Sequence, residues 1–201
     1  MKDGTLSPEF ARVLNFIGLM AMAGVLLGAY IYQFAYRELP CTLCLLQRLA
    51  MFAVGFGAAM NLMLGPDPRH YGVCLVSAVF GMSISLRQTM LHIDPFFDTK
   101  AGQPTLSATT NPPFGHAVFG FDLYVWGFLL FGTVILCVGI VQLFPSQFRR
   151  AGEEPAWLTK LAVIGVGLFL ALAALETLTT FFECGIGDCP NDGSWDWKLL
   201  G

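Results

Sequence analysis

The sequence predicts an all-α integral membrane protein with five spans in a single membrane domain. Three observations carry that prediction. Hydrophobic residues make up 55% of the chain and charged residues 12%, where soluble domains average about 25% charged. The mean hydropathy is +0.64. Five apolar runs each reach the ~20 residues that a helix needs to cross ~30 Å of hydrocarbon, and Pro, Gly or polar residues separate them. The net charge of −3 is small and no long basic run is present, which argues against nucleic acid as a partner.

The first span is read at 13–34. It is longer than a secretory signal core and no convincing A-x-A cleavage site follows, so it is expected to be retained. Tyr30, Tyr32 and Tyr36 suit an interfacial belt at its far end. The second span covers 41–64 and is broken by Gly65-Pro66-Asp67-Pro68. The third, at 71–93, carries Arg87 and Gln88 near its end and is stopped by Asp94-Pro95; polar groups there demand a polar site or the interface. Residues 94–118 form the longest loop, punctuated by Phe96, Phe97 and Phe114. The fourth span is read at 119–144, and a polar loop with Arg149, Arg150, Glu153 and Glu154 leads to the fifth at 158–182. Residues 183–201 form a polar tail with Trp195 and Trp197, expected to lie on the membrane surface.

Counting cations gives the orientation. Lys2, Arg12, Arg69, Arg149, Arg150 and Lys160 fall on one side; Arg37, Lys100 and Lys198 fall on the other, with Arg48 and Arg87 set into helix ends. Positive charge concentrates on the cytoplasmic side, so the N-terminus is expected inside and the C-terminus outside. This sorts the six cysteines. Cys41, Cys44, Cys184 and Cys189 share the outer compartment, which is the oxidising one in bacteria. Cys74 and Cys137 lie deeper, and each is read as a small apolar packing residue.

Pro40-Cys41-Thr42-Leu43-Cys44 opens the second span. A C-x-x-C pair at a helix start sits near unpaired backbone N–H groups and the positive end of the helix dipole, which favours the reactive thiolate. Arg48 is four residues after Cys44, on the same helix face one turn deeper. It is either a snorkelling anchor for lipid phosphate or a cation that hydrogen-bonds a quinone carbonyl and stabilises charge during its reduction. Cys184 and Cys189 form C-x4-C in a loop with two glycines and a following proline, read as an exchangeable disulfide, with a structural disulfide as the alternative. The spacing of the four cysteines is unpersuasive for zinc, and no metal site is expected. Glu176, inside the fifth span, is a costly group that either pairs with Arg48 or Arg87 or takes part in proton release.

The Pro-Cys-x-x-Cys-x-x-x-Arg run after a first span, with Gln88-Thr89-Met90-Leu91 and Gly120-Phe121-Asp122-Leu123-Tyr124-Val125-Trp126, resembles the DsbB family of disulfide bond formation proteins over about residues 10–145. The resemblance implies a four-helix bundle, here with a fifth transmembrane helix added, in a bacterial inner membrane. It implies ubiquinone or menaquinone as cofactor and a periplasmic, DsbA-like thioredoxin-fold protein as partner. It carries over Cys41 and Cys44 as the quinone-coupled pair, and Arg48 and Gln88 as quinone-contacting residues. The family often has His where Gln88 stands, and Gln cannot take a proton. The family's second cysteine pair belongs in the loop between spans three and four, yet 94–118 holds no cysteine. Gly187-Asp188-Cys189 and the Trp195–Leu199 run are similar to the surroundings of that pair's last cysteine. The expectation is therefore that Cys184 and Cys189 replace the missing pair and relay electrons to Cys41 and Cys44. Two rivals remain open: a non-catalytic subunit with structural disulfides, and a vitamin-K-epoxide-reductase-like enzyme with a dedicated partner.

Overall fold

In the computed structural model, residues 7–37, 40–93, 121, 123–148 and 155–185 are described. The loop 94–118, the cations of 149–154, residues 1–6 and the tail beyond Gly185, including Cys189, lie outside them. Five helices are long and apolar enough to cross a membrane: α1 (Pro8–Tyr36), α2 (Thr42–Leu64), α3 (Pro68–Ile93), α4 (Leu123–Gln142) and α5 (Ala156–Cys184). A short 3-10 helix, Pro145–Phe148, follows α4. The chain is thus an all-α, multi-pass membrane protein.

Local chemistry sets the ends. Ser7 caps α1, its hydroxyl accepting from the Phe10 N–H at 3.2 Å, and Pro8 occupies the first turn, where a missing N–H costs nothing. α1 closes at Arg37, whose left-handed conformation (φ 53°) turns its N–H back to the Gln33 carbonyl. α2 ends at Gly65, with φ of 93°, a conformation open to glycine. The helices α1, α3 and α5 begin at Pro8, Pro68 and Ala156, upstream of the apolar runs at 13, 71 and 158. Hydropathy marks where lipid begins, whereas a helix begins at its cap. Arg12 lies inside the first turns of α1 and is buried there.

α2 packs against α1 and α3, α3 against α4, and α5 against both α1 and α2. The fifth helix therefore enters the bundle and forms part of the wall around α2. Phenyl rings seated on glycines fix these contacts. Phe169 of α5 lies over Gly55 of α2, Phe131 of α4 over Gly81 of α3, and Phe16 of α1 against Gly165 of α5; a Cβ on any of the three glycines would collide with the ring. Phe169 also meets Phe52 and Phe56 edge-on at 6.3 and 5.9 Å. Between membrane helices there is no water to expel, so such close backbone approach and dispersion supply the association.

At the α1 N-terminal end a buried polar cluster bolts four segments together. The Asn15 amide donates to Tyr71 Oη at 2.7 Å, Asn61 donates to Asn15 Oδ1 at 3.0 Å, and Tyr71 donates to Gln147 Oε1 at 3.0 Å. Arg12 reaches the Leu62 carbonyl. Asn61 Oδ1 also accepts from the Asp67 N–H at 3.1 Å, which secures the turn into α3. Cys74 is buried, as expected, and its thiol donates to the Val54 carbonyl at 3.4 Å. Cys137 is exposed on the outer face of α4 instead, where a thiol facing lipid is as apolar as its neighbours.

Gly55→Leu and Gly81→Leu are expected to lower the apparent Tm in detergent, since overpacking costs about 1–3 kcal/mol. Gly24→Leu, at a site with nothing within 4 Å of an added Cβ, should leave it unchanged. Equal melting of all three in a thermal unfolding series would remove the role assigned to the ring-on-glycine contacts.

Candidate redox site

Pro40 leads into α2, and Cys41 is its N-cap residue: Cys41 Sγ accepts from the Cys44 N–H at 3.1 Å, and the Cys41 carbonyl accepts from the Leu45 N–H at 3.0 Å. The pair is joined as a disulfide with Cα atoms 5.1 Å apart. Cys41 Sγ thus sits on an N-terminal N–H group of a 23-residue helix, with Cys44 in its first turn, the local potential that stabilises a thiolate once the bond is reduced.

Gln88 of α3 is buried and faces these sulfurs. Its Nε2 lies 3.6 Å from Cys41 Sγ and 3.7 Å from Cys44 Sγ, and its Oε1 accepts from Gln47 Nε2 at 2.9 Å. Gly127 of α4 comes close enough that a Cβ there would stand 3.3 Å from Gln47 Oε1. α4 therefore closes the side of the site away from α5. Gln88, expected beside a cofactor, lies directly on the disulfide.

One turn deeper, Arg48 projects toward α1 and α5. Its Nη1 donates to Gln33 Oε1 at 2.8 Å, and its Nη2 lies 3.4 Å from the Ala29 carbonyl. Gln33 Nε2 donates to Glu183 Oε1 at 2.6 Å. Glu176 Oε2 stands 3.8 Å from Arg48 Nη1, so of the two arginines considered for Glu176 the structure selects Arg48. Tyr30 Oη and Thr179 Oγ1 are 3.0 Å apart beside this pair. Tyr30 thus turns inward to α5 rather than out to an interfacial belt. A guanidinium in an apolar bundle is tolerable only with counter-charge and acceptors around it, and α5 supplies both carboxyls.

Cys184, the last residue of α5, is buried and disulfide-bonded; Cys189 lies outside the described residues. Glu183, adjacent to Cys184, is two hydrogen bonds from Arg48, which brings the end of α5 to the same end of the bundle as Cys41. Sequence reasoning missed Gln33, Gln47 and Glu183. The two glutamines are uncharged and drop out of a charge count, although an amide inside an apolar run is itself a signal. Glu183 falls just past the fifth apolar run, where hydropathy marks a tail. Among the described residues no group of three or more His, Cys, Asp or Glu could hold a metal ion.

Fold and site together define a membrane-embedded dithiol/disulfide protein, with its cysteine pair capping a helix above a partly buried arginine. The chain belongs to the DsbB family: the family model described as "Disulfide bond formation protein DsbB" matches residues 11–141. Proteins named "Disulfide bond formation protein B" are similar to it. That of Aromatoleum aromaticum is 35% identical over 91 residues, covering 43% of this chain and 55% of the relative. That of Albidiferax ferrireducens is 24% identical over 153 residues, covering 66% of this chain and 87% of the relative. The chain thus spans about half the length of the first relative. No solved structure matches. α5 lies beyond the residues that the family model matches.

Replacing Gln88 by Leu removes a donor that a thiolate at Cys41 or Cys44 would use. A hydrogen bond to a charged group contributes about 1.5–3 kcal/mol. The loss weakens the reduced form, so the reduction potential of the pair should fall by roughly 30–60 mV. Equilibration of Gln88→Leu with glutathione buffers measures this; a potential equal to that of the unsubstituted protein would show that Gln88 does not serve the thiolate.

Proposed function

We propose that this chain is a quinone-dependent protein disulfide oxidoreductase of a bacterial inner membrane. It reoxidises a periplasmic, DsbA-like thioredoxin-fold thiol oxidase and so supports disulfide formation. One observation carries the reading. The Cys41–Cys44 disulfide caps the helix that bears Arg48, and Arg48 is joined through Gln33 to Glu183, the neighbour of disulfide-bonded Cys184. Two sulfur centres at one end of a membrane bundle, with a fixed cation beneath them, suit electron flow from a soluble dithiol to an acceptor dissolved in lipid. The relatives are named for disulfide bond formation, which supports thiol oxidation as the chemistry. The cation count supports a cytoplasmic N-terminus and a periplasmic C-terminus, which sets both centres on the oxidising side.

The residues present fit a quinone. Arg48 is a donor for a carbonyl oxygen and is 12% exposed, and beside it both oxygens of Glu176 are buried with no hydrogen-bond partner among the described residues. Ubiquinone and menaquinone both present such carbonyls. A bound quinone supplies a two-electron, two-proton acceptor.

A thiolate of the reduced partner attacks the proposed Cys184–Cys189 disulfide and forms a mixed disulfide. The partner's second thiol resolves it, which leaves the partner oxidised and the tail as a dithiol. The tail dithiol reduces Cys41–Cys44 by the same exchange. The N-terminus of α2 holds the Cys44 thiolate ready as the electron donor, Gln88 hydrogen-bonds the sulfurs, and Arg48 binds and polarises the acceptor's carbonyl oxygen. Each exchange moves two electrons and breaks one S–S bond for each one formed.

With Cys184 and Cys189 both changed to Ser, quinone reduction driven by a small dithiol should persist, while oxidation of a thioredoxin-fold partner should fall at least tenfold. Parallel assays of quinol formation and partner thiol content read both. Partner turnover at the unsubstituted rate would sink the relay, and retention of quinone reduction in a Cys41→Ser/Cys44→Ser variant would sink the assignment of the first pair.

A further inference from the structure

The face that α5 turns to Arg48 carries two carboxyls for one guanidinium. Glu176, Thr179 and Glu183 are buried on that face, and Arg48 interacts electrostatically with both acids. The two acids are bound differently. Glu183 accepts a 2.6 Å bond from Gln33 Nε2 on Oε1, while its Oε2 has no hydrogen-bond partner among the described residues; that one bond favours its ionised form over that of Glu176. Glu176 is 2% exposed, and neither of its oxygens has a hydrogen-bond partner among the described residues. Its distance of 3.8 Å from Arg48 Nη1 is too long for a hydrogen bond. Arg48 from α2 is the charged group beside it, and Arg48 in turn bonds Gln33 of α1 and interacts with Tyr30 of α1 and Glu183 of α5, while Thr179 of α5 bonds Tyr30. Arg48 and an ionised Glu183 already balance, so a second negative charge in this apolar setting has no cation of its own.

We propose that Glu176 holds a proton and delivers it to the quinone oxygen bound at Arg48. The proposal rests on the quinone-dependent reading above and adds the proton path to it. Gln88 cannot fill that role, since an amide does not titrate. The balance is complete: the Cys41/Cys44 dithiol loses two electrons and two protons and forms its S–S bond, and the quinone gains two electrons and two protons. The Glu176 O–H bond breaks as the quinol O–H bond forms. The resulting carboxylate stands against Arg48 until one thiol proton restores it, and the other thiol proton goes to the second quinone oxygen.

The test uses the full-length chain in detergent or lipid, with Glu176→Gln and Glu176→Asp. In infrared spectra taken without quinone, the carbonyl stretch of a protonated buried carboxyl should be present in the unsubstituted protein, be lost in Glu176→Gln and be shifted in Glu176→Asp. Quinone reduction driven by a small dithiol should slow by roughly 100-fold in Glu176→Gln, the usual scale of a lost general acid. Glu176→Asp should recover at least tenfold over Glu176→Gln. A carboxyl band that survives Glu176→Gln overturns the proposal, as does a Glu176→Gln rate within twofold of the unsubstituted protein, or an aspartate variant no faster than the glutamine one. Absence of quinone reduction in the unsubstituted protein would defeat the functional reading instead, and the infrared spectra, which need no quinone, would still decide whether Glu176 holds the proton.

Discussion

The charge of Arg48 is the constraint on which this end of the molecule depends. A guanidinium inside a helix bundle cannot stand without acceptors and counter-charge, and α2 alone offers neither at that depth. α1 brings Gln33 and the Ala29 carbonyl, and α5 brings Glu176 and Glu183. Three helices must therefore meet at one point. Because Arg48 lies one turn below Cys44, the network that neutralises it also fixes the floor beneath the disulfide.

Packing deeper in the bundle makes that meeting possible. The inward positions of α5 run Leu158, Ala162, Gly165, Phe169, Leu172, Glu176, Thr179 and Glu183, alternating steps of four and three. On α1, Arg12, Asn15, Leu19, Met22 and Leu26 keep the same rhythm. This is the 3.5-residue period of coiled-coil seams. On α5 the seam is apolar over its first half, where Phe169 seats on Gly55, and acidic over its second half, where Arg48 waits. Without a hydrophobic driving force between helices, the ring-on-glycine contacts hold α5 in register, and the register aims both carboxyls.

Much of the fold was legible because lipid imposes a simple rule: about 20 apolar residues per crossing. The five spans and the helix-start position of Cys41 followed from that rule and from Pro40. The partnership of Arg48 with Glu176 appeared in the sequence only as one of several options. The lipid-facing side of α5 is as apolar as its inner side, so no amphipathic stripe marks which face Glu176 shares with Phe169. Gln33 and Gln47 carry no charge, and their role emerges only when α1, α2 and α3 are brought together. The cation count gives an expected side for the cysteines, a property of the segments between spans. It did not reveal the hydrogen-bond path from Glu183 to Arg48, which depends on side-chain reach across two helices.

The family match ends at residue 141, and beyond it one helix carries features of its own. α5 carries Cys184 at its end and Glu176 and Glu183 on its inner face. In the proposed relay these serve different steps, the first toward the soluble partner and the second toward the quinone. Their placement on a rigid element links the two. A shift of α5 that displaced Cys184 would also withdraw the counter-charge of Arg48, and a change in the charge of Glu176 would act on the helix that presents Cys184. A loop-borne cysteine pair has no such coupling, because a loop moves without disturbing a buried ion pair. In the proposed relay, a second pair at the end of α5 therefore ties the sulfur that meets the partner to the electrostatics of the site that receives the electrons.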